Sequence, residues 1–194
     1  IATWLLSRMA QDSSILLSVF ARNQAVANDL GRTYGVSVIS DLVIADGEYD
    51  VIILAVSDNV LGSVFSQYFN ETIVLHCSGA TSINVLSHIA AHYGVMWPIY
   101  SIKKHLVDQL PTDIPLVINA NSEEIKVRIR QLAHIVSSKV DIVTEQERAA
   151  LHLGATVVNN FTNHLYAQMQ HWLQDKQIDF NLLIPIMMQQ SLLI

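Results

Sequence analysis

Cysteine, cationic residues and long apolar runs are what this chain has least of, and each shortage excludes a class of protein. Its one cysteine, Cys77, cannot build an intrachain disulfide framework and suits a reducing, cytoplasmic setting. Lys and Arg number 11 against 17 Asp and Glu, for a formal net charge of −6. Binding a phosphate backbone needs clustered cations, and Lys103-Lys104 is the one adjacent pair, so no nucleic-acid partner is expected. No apolar run nears the roughly 18 residues of a membrane span, and no signal-peptide pattern is found. Internal repeats and low-complexity stretches are absent as well.

What is there is a core-rich chain: 51% of its 194 residues are hydrophobic and 14% charged. That length holds one full domain and part of a second. Both ends read as interior to a longer protein. Ile1, Trp4, Leu5 and Met9 already have helical spacing with no cap before them, and Ser191 to Ile194 stops inside an apolar run.

Periodicity lays out alternating strands and helices. Strands are expected at Ile15 to Phe20, Val36 to Ile39, Asp50 to Val56, Thr72 to His76, Val95 to Ile99, Ile114 to Ala120 and Val140 to Val143. The continuous run at 50–56 is of the kind buried on both faces of a parallel sheet, whereas Pro98 argues against central pairing for 95–99. Helices are expected over 24–34, stopped by Gly35, over 57–69 capped by Ser57, Asp58 or Asn59, and over 83–93. A further helix to about Val136 opens on an Asn121/Glu124 capping box. A second box at Thr144/Glu147 opens a long helix to about Asp175, and Asp179 caps the last. The pattern is α/β, a doubly wound and mostly parallel sheet over 1–144, followed by an all-helical domain from 145 to 194. A further strand is expected ahead of Ile1, between the strands at 15–20 and 51–56; without it the isolated chain should be unstable.

In such sheets ligands bind beyond the carboxyl ends of the strands. Three segments lie there. In Ala21-Arg22-Asn23, Arg22 stands where an acidic residue would hold the ribose of NAD; its guanidinium suits a 2′-phosphate and favours NADP over NAD. In Val56-Ser57-Asp58, small and polar residues lead into a helix, with Asp58 assigned to capping. In His76-Cys77-Ser78-Gly79-Ala80, the small residues would let a nicotinamide ring approach. His76 is either a proton donor or a structural histidine, and Cys77 reads as packing rather than a nucleophile. The Gly-x-Gly-x-x-Gly turn of dinucleotide folds is absent from the chain; its place would be just upstream of Ile1.

The long helix carries a polar stripe in apolar surroundings. His152, Thr156, Asn159 and Asn163 fall at i, i+4, i+7 and i+11, with Asn160 at the edge. A helix apolar on most sides is expected to be buried, so these groups either face a cleft or satisfy one another. Gly154, costly in mid-helix by about 1 kcal/mol, points to close approach of another backbone.

Ala55 to Asp58, His76 to Ala80, the Pro98 strand and His152 to Asn160 together resemble a family of NADP oxidoreductases over essentially the whole chain. In that family a Rossmann-like domain precedes a helical domain of unknown function. Its relatives are pyrroline-5-carboxylate reductase, ketopantoate reductase and deazaflavin-dependent NADP oxidoreductases. The resemblance implies an NADP-binding first domain, a helical domain that forms a homodimer, and an active site between them. Two positions depart from it. Trp97 stands where many members have histidine. Ala155 stands where related β-hydroxyacid dehydrogenases have a lysine four residues before an Asn-Asn pair.

The expected function is NADP-dependent hydride transfer to a small polar carbonyl or imine substrate. His152 would be the proton donor, since an imidazole titrates near neutrality, and Asn160 with Asn159 would hold the substrate oxygen. The alternative is a non-catalytic NADP-binding sensor or scaffold, because such folds host many roles.

Overall fold

The computed structural model describes residues 1–191 of the chain. It divides into two compact units, Ile1–Ala149 and Ala150–Ile194.

The first unit opens with α1 (Ala2–Met9), β1 (Ser18–Val19), α2 (Gln24–Tyr34) and β2 (Ser37–Val38). Asn23 caps α2 through a bond from the Ala25 amide, and Gly35 ends it at φ 66°, where a side chain would be strained. β1 and β2 form their own parallel pair. The main sheet contains β3 (Val51–Leu54), β4 (Phe69–His76), β5 (Ala90–Pro98), β6 (Leu116–Ala120) and β7 (Val140–Ile142), in that spatial order. All its pairings are parallel except β5 with β6. Among the described residues, β3 pairs only with β4 and β1 only with β2, so each keeps an open edge.

Alternation along the central strands explains how the sheet is buried on both faces. Ile73 and Leu75 of β4 join Leu116 and Ile118 of β6 in one core, covered by Trp4, Leu5 and Met9 of α1. Helix α3 (Glu123–Val136) adds Ile125, Ile129, Ala133 and Val136 to that same face. Val74 points the other way, into a second cluster with Leu54, Leu61, Phe65, Phe69 and Leu86. Gly94 of β5 is required by the first core: a Cβ there would strike the Asn119 carbonyl and come within 2.8 Å of Ile129 Cδ1.

Several expectations fail here. The helix expected over 57–69 is a single 3₁₀ segment, Asp58–Ser63, and that over 83–93 is another, Ile83–Leu86. Residues 90–93 belong instead to β5, whose pairing with β4 extends back to Ala90. β5 is central despite Pro98, because the proline sits at its last position, opposite Leu116. Ser122, not Asn121, caps α3; the Asn121 side chain instead bridges to Ala91 and Tyr93.

The second unit continues from α4 (Glu145–Ala155), inside which the boundary falls. The Thr144/Glu147 box forms as its spacing requires: the Thr144 amide donates to Glu147 at 2.7 Å, and the Glu147 amide to Thr144 Oγ1 at 3.2 Å. A π-helical turn, Thr156–Phe161, leads into α5 (Thr162–Asp175). Gln177, at φ 57°, reverses the chain after α5, with the Ile178 amide bonding back to the Leu173 carbonyl. Asp179 caps a 3₁₀ turn ahead of α6 (Ile184–Ser191).

The expectation that this long helix is buried is overturned. Leu173 is the one buried hydrophobic residue of the unit among the described residues, while Leu153, Val158, Phe161, Leu165 and Trp172 are exposed. No other backbone crowds Gly154 either: a Cβ there would meet nothing within 4 Å.

Candidate functional site

Parallel pairing sets the carboxyl ends of β3 and β4 side by side, with Leu54 opposite His76. The chain just beyond those ends forms a polar knot whose centre is Ser78. Its hydroxyl donates to Asp58 Oδ2 at 2.6 Å and accepts from the Ala80 and Thr81 amides at 3.2 and 3.0 Å. Its amide donates to His76 Nδ1 at 3.1 Å. Its carbonyl accepts from Arg148 Nη1 at 2.8 Å, and the same nitrogen reaches the Gly79 carbonyl at 3.3 Å. Every polar group of Ser78 is thereby engaged. Asp58 is a cross-link between two strand ends rather than the helix cap expected for it.

Burial shapes the chemistry of this knot. His76 is fully buried, and its pKa falls from 6.5 to about 4. Desolvation is the largest cause and the Arg148 guanidinium the next, opposed by Asp58 and the Ser82 backbone. Because Nδ1 accepts from Ser78, the neutral ring carries its proton on Nε2. Nε2 is buried without a hydrogen-bond partner among the described residues. Near neutral pH His76 is therefore the uncharged imidazole, which favours the structural histidine. Burial likewise pushes the Cys77 thiol up to about 12, so it is packing and not a thiolate.

The remaining candidates fall into two groups. Ala21, Arg22 and Asn23 follow β1; Arg22 is exposed and Asn23 is occupied in capping α2. Val56 and Ser57 lie exposed past the end of β3. Cys77 packs in the first core with Trp4 and Leu5 of α1. That places the start of α1 beside the end of β4.

In the helical unit the polar stripe is an internally bonded ladder. Thr156 Oγ1 donates to the His152 carbonyl at 2.9 Å. Asn163 Nδ2 donates to Asn159 Oδ1, and Asn159 Nδ2 to Asn160 Oδ1, both at 3.1 Å. The π turn contains Asn159 and Asn160 and changes the angular step per residue there, so the i, i+4, i+7 spacing did not foresee their pairing.

Sequence reasoning missed Arg148. It is 1% exposed, yet it lies in the first turns of α4 in a stretch that reads as a solvated helix start. Only its fourth place after Thr144, on the side of α4 that returns toward the sheet, hinted at burial. Among the described residues no cluster of His, Cys, Asp and Glu could hold a metal, and no helix is long and apolar enough to cross a membrane.

Residues 114–192 match a family described as Domain of unknown function (DUF2520). No curated protein matches the chain by sequence. Solved structures do match it in fold. The protein described as putative NADP oxidoreductase BF3122 of Bacteroides fragilis superposes with a TM-score of 0.82 at 24% identity, covering 98% of this chain and 74% of its own. 1-Pyrroline-5-carboxylate reductase of Streptococcus pyogenes gives 0.71 at 11% identity, covering 97% and 72%. A reductive aminase of Aspergillus terreus, solved with NADPH and ethyl-5-oxohexanoate, also gives 0.71, at 13% identity, covering 97% and 69%. The fold is Rossmann-like with a helical carboxyl-terminal part, as its sequence pattern implied.

Proposed function

We propose that the chain is part of an NADP-dependent oxidoreductase that transfers hydride between NADPH and a small polar carbonyl or imine compound. The observation that carries this reading is the Ser78 knot at the adjoining carboxyl ends of β3 and β4, where open α/β sheets bind ligands. The residues present fit a dinucleotide. Ser78 and Gly79 are small and buried, so a flat ring can lie against their backbone. Arg22 is exposed after β1 with no carboxylate among residues 20–24, which suits a 2′-phosphate and disfavours the ribose contact of NAD. The head of α1, whose Trp4 and Leu5 pack with Cys77, offers backbone N–H groups and a positive dipole end to a pyrophosphate. The neighbours of this fold include an NADP oxidoreductase and an aminase solved with NADPH, which supports the same cofactor here.

Bound NADPH would supply the hydride; the chain binds, orients and moves the proton. His152 is the proton donor in this reading. The ladder through Asn163, Asn159 and Asn160 fixes Asn160, whose Nδ2 carries no bond within the ladder and can hold a substrate oxygen. The exposed helix stripe Phe161, Leu165, Met169 and Trp172 serves as the contact for a second copy of the chain, giving a homodimer. NADPH oxidation against a panel of small carbonyl and imine compounds tests the reading in the native full-length protein. His152→Ala should lower turnover at least about 100-fold while leaving NADPH affinity unchanged. Unchanged turnover would remove His152 from the mechanism.

A further inference from the structure

We propose that Arg148 is a positioning residue for the nucleotide: from beneath the strand end it fixes the carbonyls of Ser78 and Gly79, and with them the backbone surface on which the nicotinamide lies. The proposal rests on the functional reading above.

Three observations carry it. Arg148 is remote in sequence from residues 78 and 79, yet one guanidinium nitrogen reaches both of their carbonyls. It is 1% exposed, so its charge is held inside the fold rather than on a solvated helix. And Ser78 is bound by three side chains, its amide by His76 of its own strand end, its hydroxyl by Asp58 and its carbonyl by Arg148. Removing any one of the three releases a different side of the same residue.

Stability alone gives a poor account of a buried guanidinium here. Its acidic neighbour, Glu145, is 4.0 Å away and half-exposed, and its Nε has no partner among the described residues. Desolvating a cation with such partial compensation is costly, and an apolar side chain of similar volume packs as well or better. What an apolar residue cannot do is hold two carbonyls on one donor nitrogen. With the oxygens of Ser78 and Gly79 both held by Arg148, the conformation of the backbone between them is fixed. Arg148 also places a fixed positive charge near His76, which favours the neutral ring that accepts the Ser78 amide.

The test compares Arg148→Met and Arg148→Lys with the wild-type full-length protein, reading NADPH affinity by titration and folding by thermal melting. Amide shifts of Ser78 and Gly79 by NMR report the turn itself. The expected result is that Arg148→Met melts near wild type and binds NADPH at least about tenfold more weakly, with both amides displaced. Arg148→Lys, which keeps the charge and a donor, should recover part of the affinity. A folded Arg148→Met protein with wild-type affinity and unshifted amides would overturn the proposal. Should Arg148→Met not fold, Arg148→Lys decides: weaker NADPH binding supports the role, unchanged binding refutes it. Wild-type protein that binds no NADPH would instead sink the functional reading on which the proposal stands.

Discussion

Helices α3 and α5 carry the same apolar code and meet opposite fates. In α3, Ile125, Ile129, Ala133 and Val136 fall at i, i+4, i+8 and i+11, and all four are buried against the sheet. In α5 and the turn before it, Phe161, Leu165, Met169 and Trp172 fall at the same spacing, and all four are exposed. Sequence period therefore specifies that a face is apolar but not what covers it. α3 finds its cover within its own unit, on β5 and β6. The stripe on α5 finds none in its own unit among the described residues.

The largest expected effect breaks the comparison at matched positions. Ile129→Asp puts an unpaired charge into the first core and should cost more than about 4 kcal/mol, abolishing folding by circular dichroism. Leu165→Asp should change the melting of the isolated chain little, while lowering self-association in sedimentation runs. Equal loss of folding in both variants would mean that the α5 face is covered after all.

A smaller effect contrasts the buried polar knot with the exposed asparagine ladder. His76 has a folded pKa near 4 against 6.5 when unfolded. Above pH 6.5 both states are neutral at this site and no pH-dependent penalty arises. As pH falls from 6.5 toward 4 the unfolded chain takes up the proton first, so stability drops by roughly 3 kcal/mol in total. Below about 4 the loss levels off. Denaturant titrations across that range should show the decline, and His76→Gln should flatten it. The ladder residues carry no titratable group, so Asn163→Ala should leave the profile unchanged.

Two smaller changes compare helix ends. Thr144→Ala removes half of the capping box and should cost about 1 kcal/mol in chemical denaturation. Gln177→Gly relieves a left-handed backbone at the end of α5 and should stabilise the helical unit by about 1 kcal/mol.

These contrasts also show what was legible in the chain. Strands with continuous apolar runs, such as β4 and β6, could be read directly, because burial on both faces leaves no polar position to confuse the period. The capping box at Thr144 and the Gly35 stop were legible because each depends on one local backbone geometry. The helices expected after β3 and β4 were not: Asp58–Ser63 and Ile83–Leu86 are short 3₁₀ segments, and the apolar residues beyond them are spent on a cluster and on the start of β5. The segments after β3 and β4 were legible as neighbours because parallel pairing brings those strand ends side by side. Arg148 was not, since its partners are backbone carbonyls some 70 residues away and carbonyls leave no mark in a sequence.

The most direct test of the central claim is a calorimetric titration of NADPH and NADH into the native full-length protein and its Arg22→Ala variant. NADPH should bind at least about tenfold more tightly than NADH, and Arg22→Ala should erase that preference. Heat of binding from neither nucleotide would contradict the account and leave a fold of this type without its cofactor.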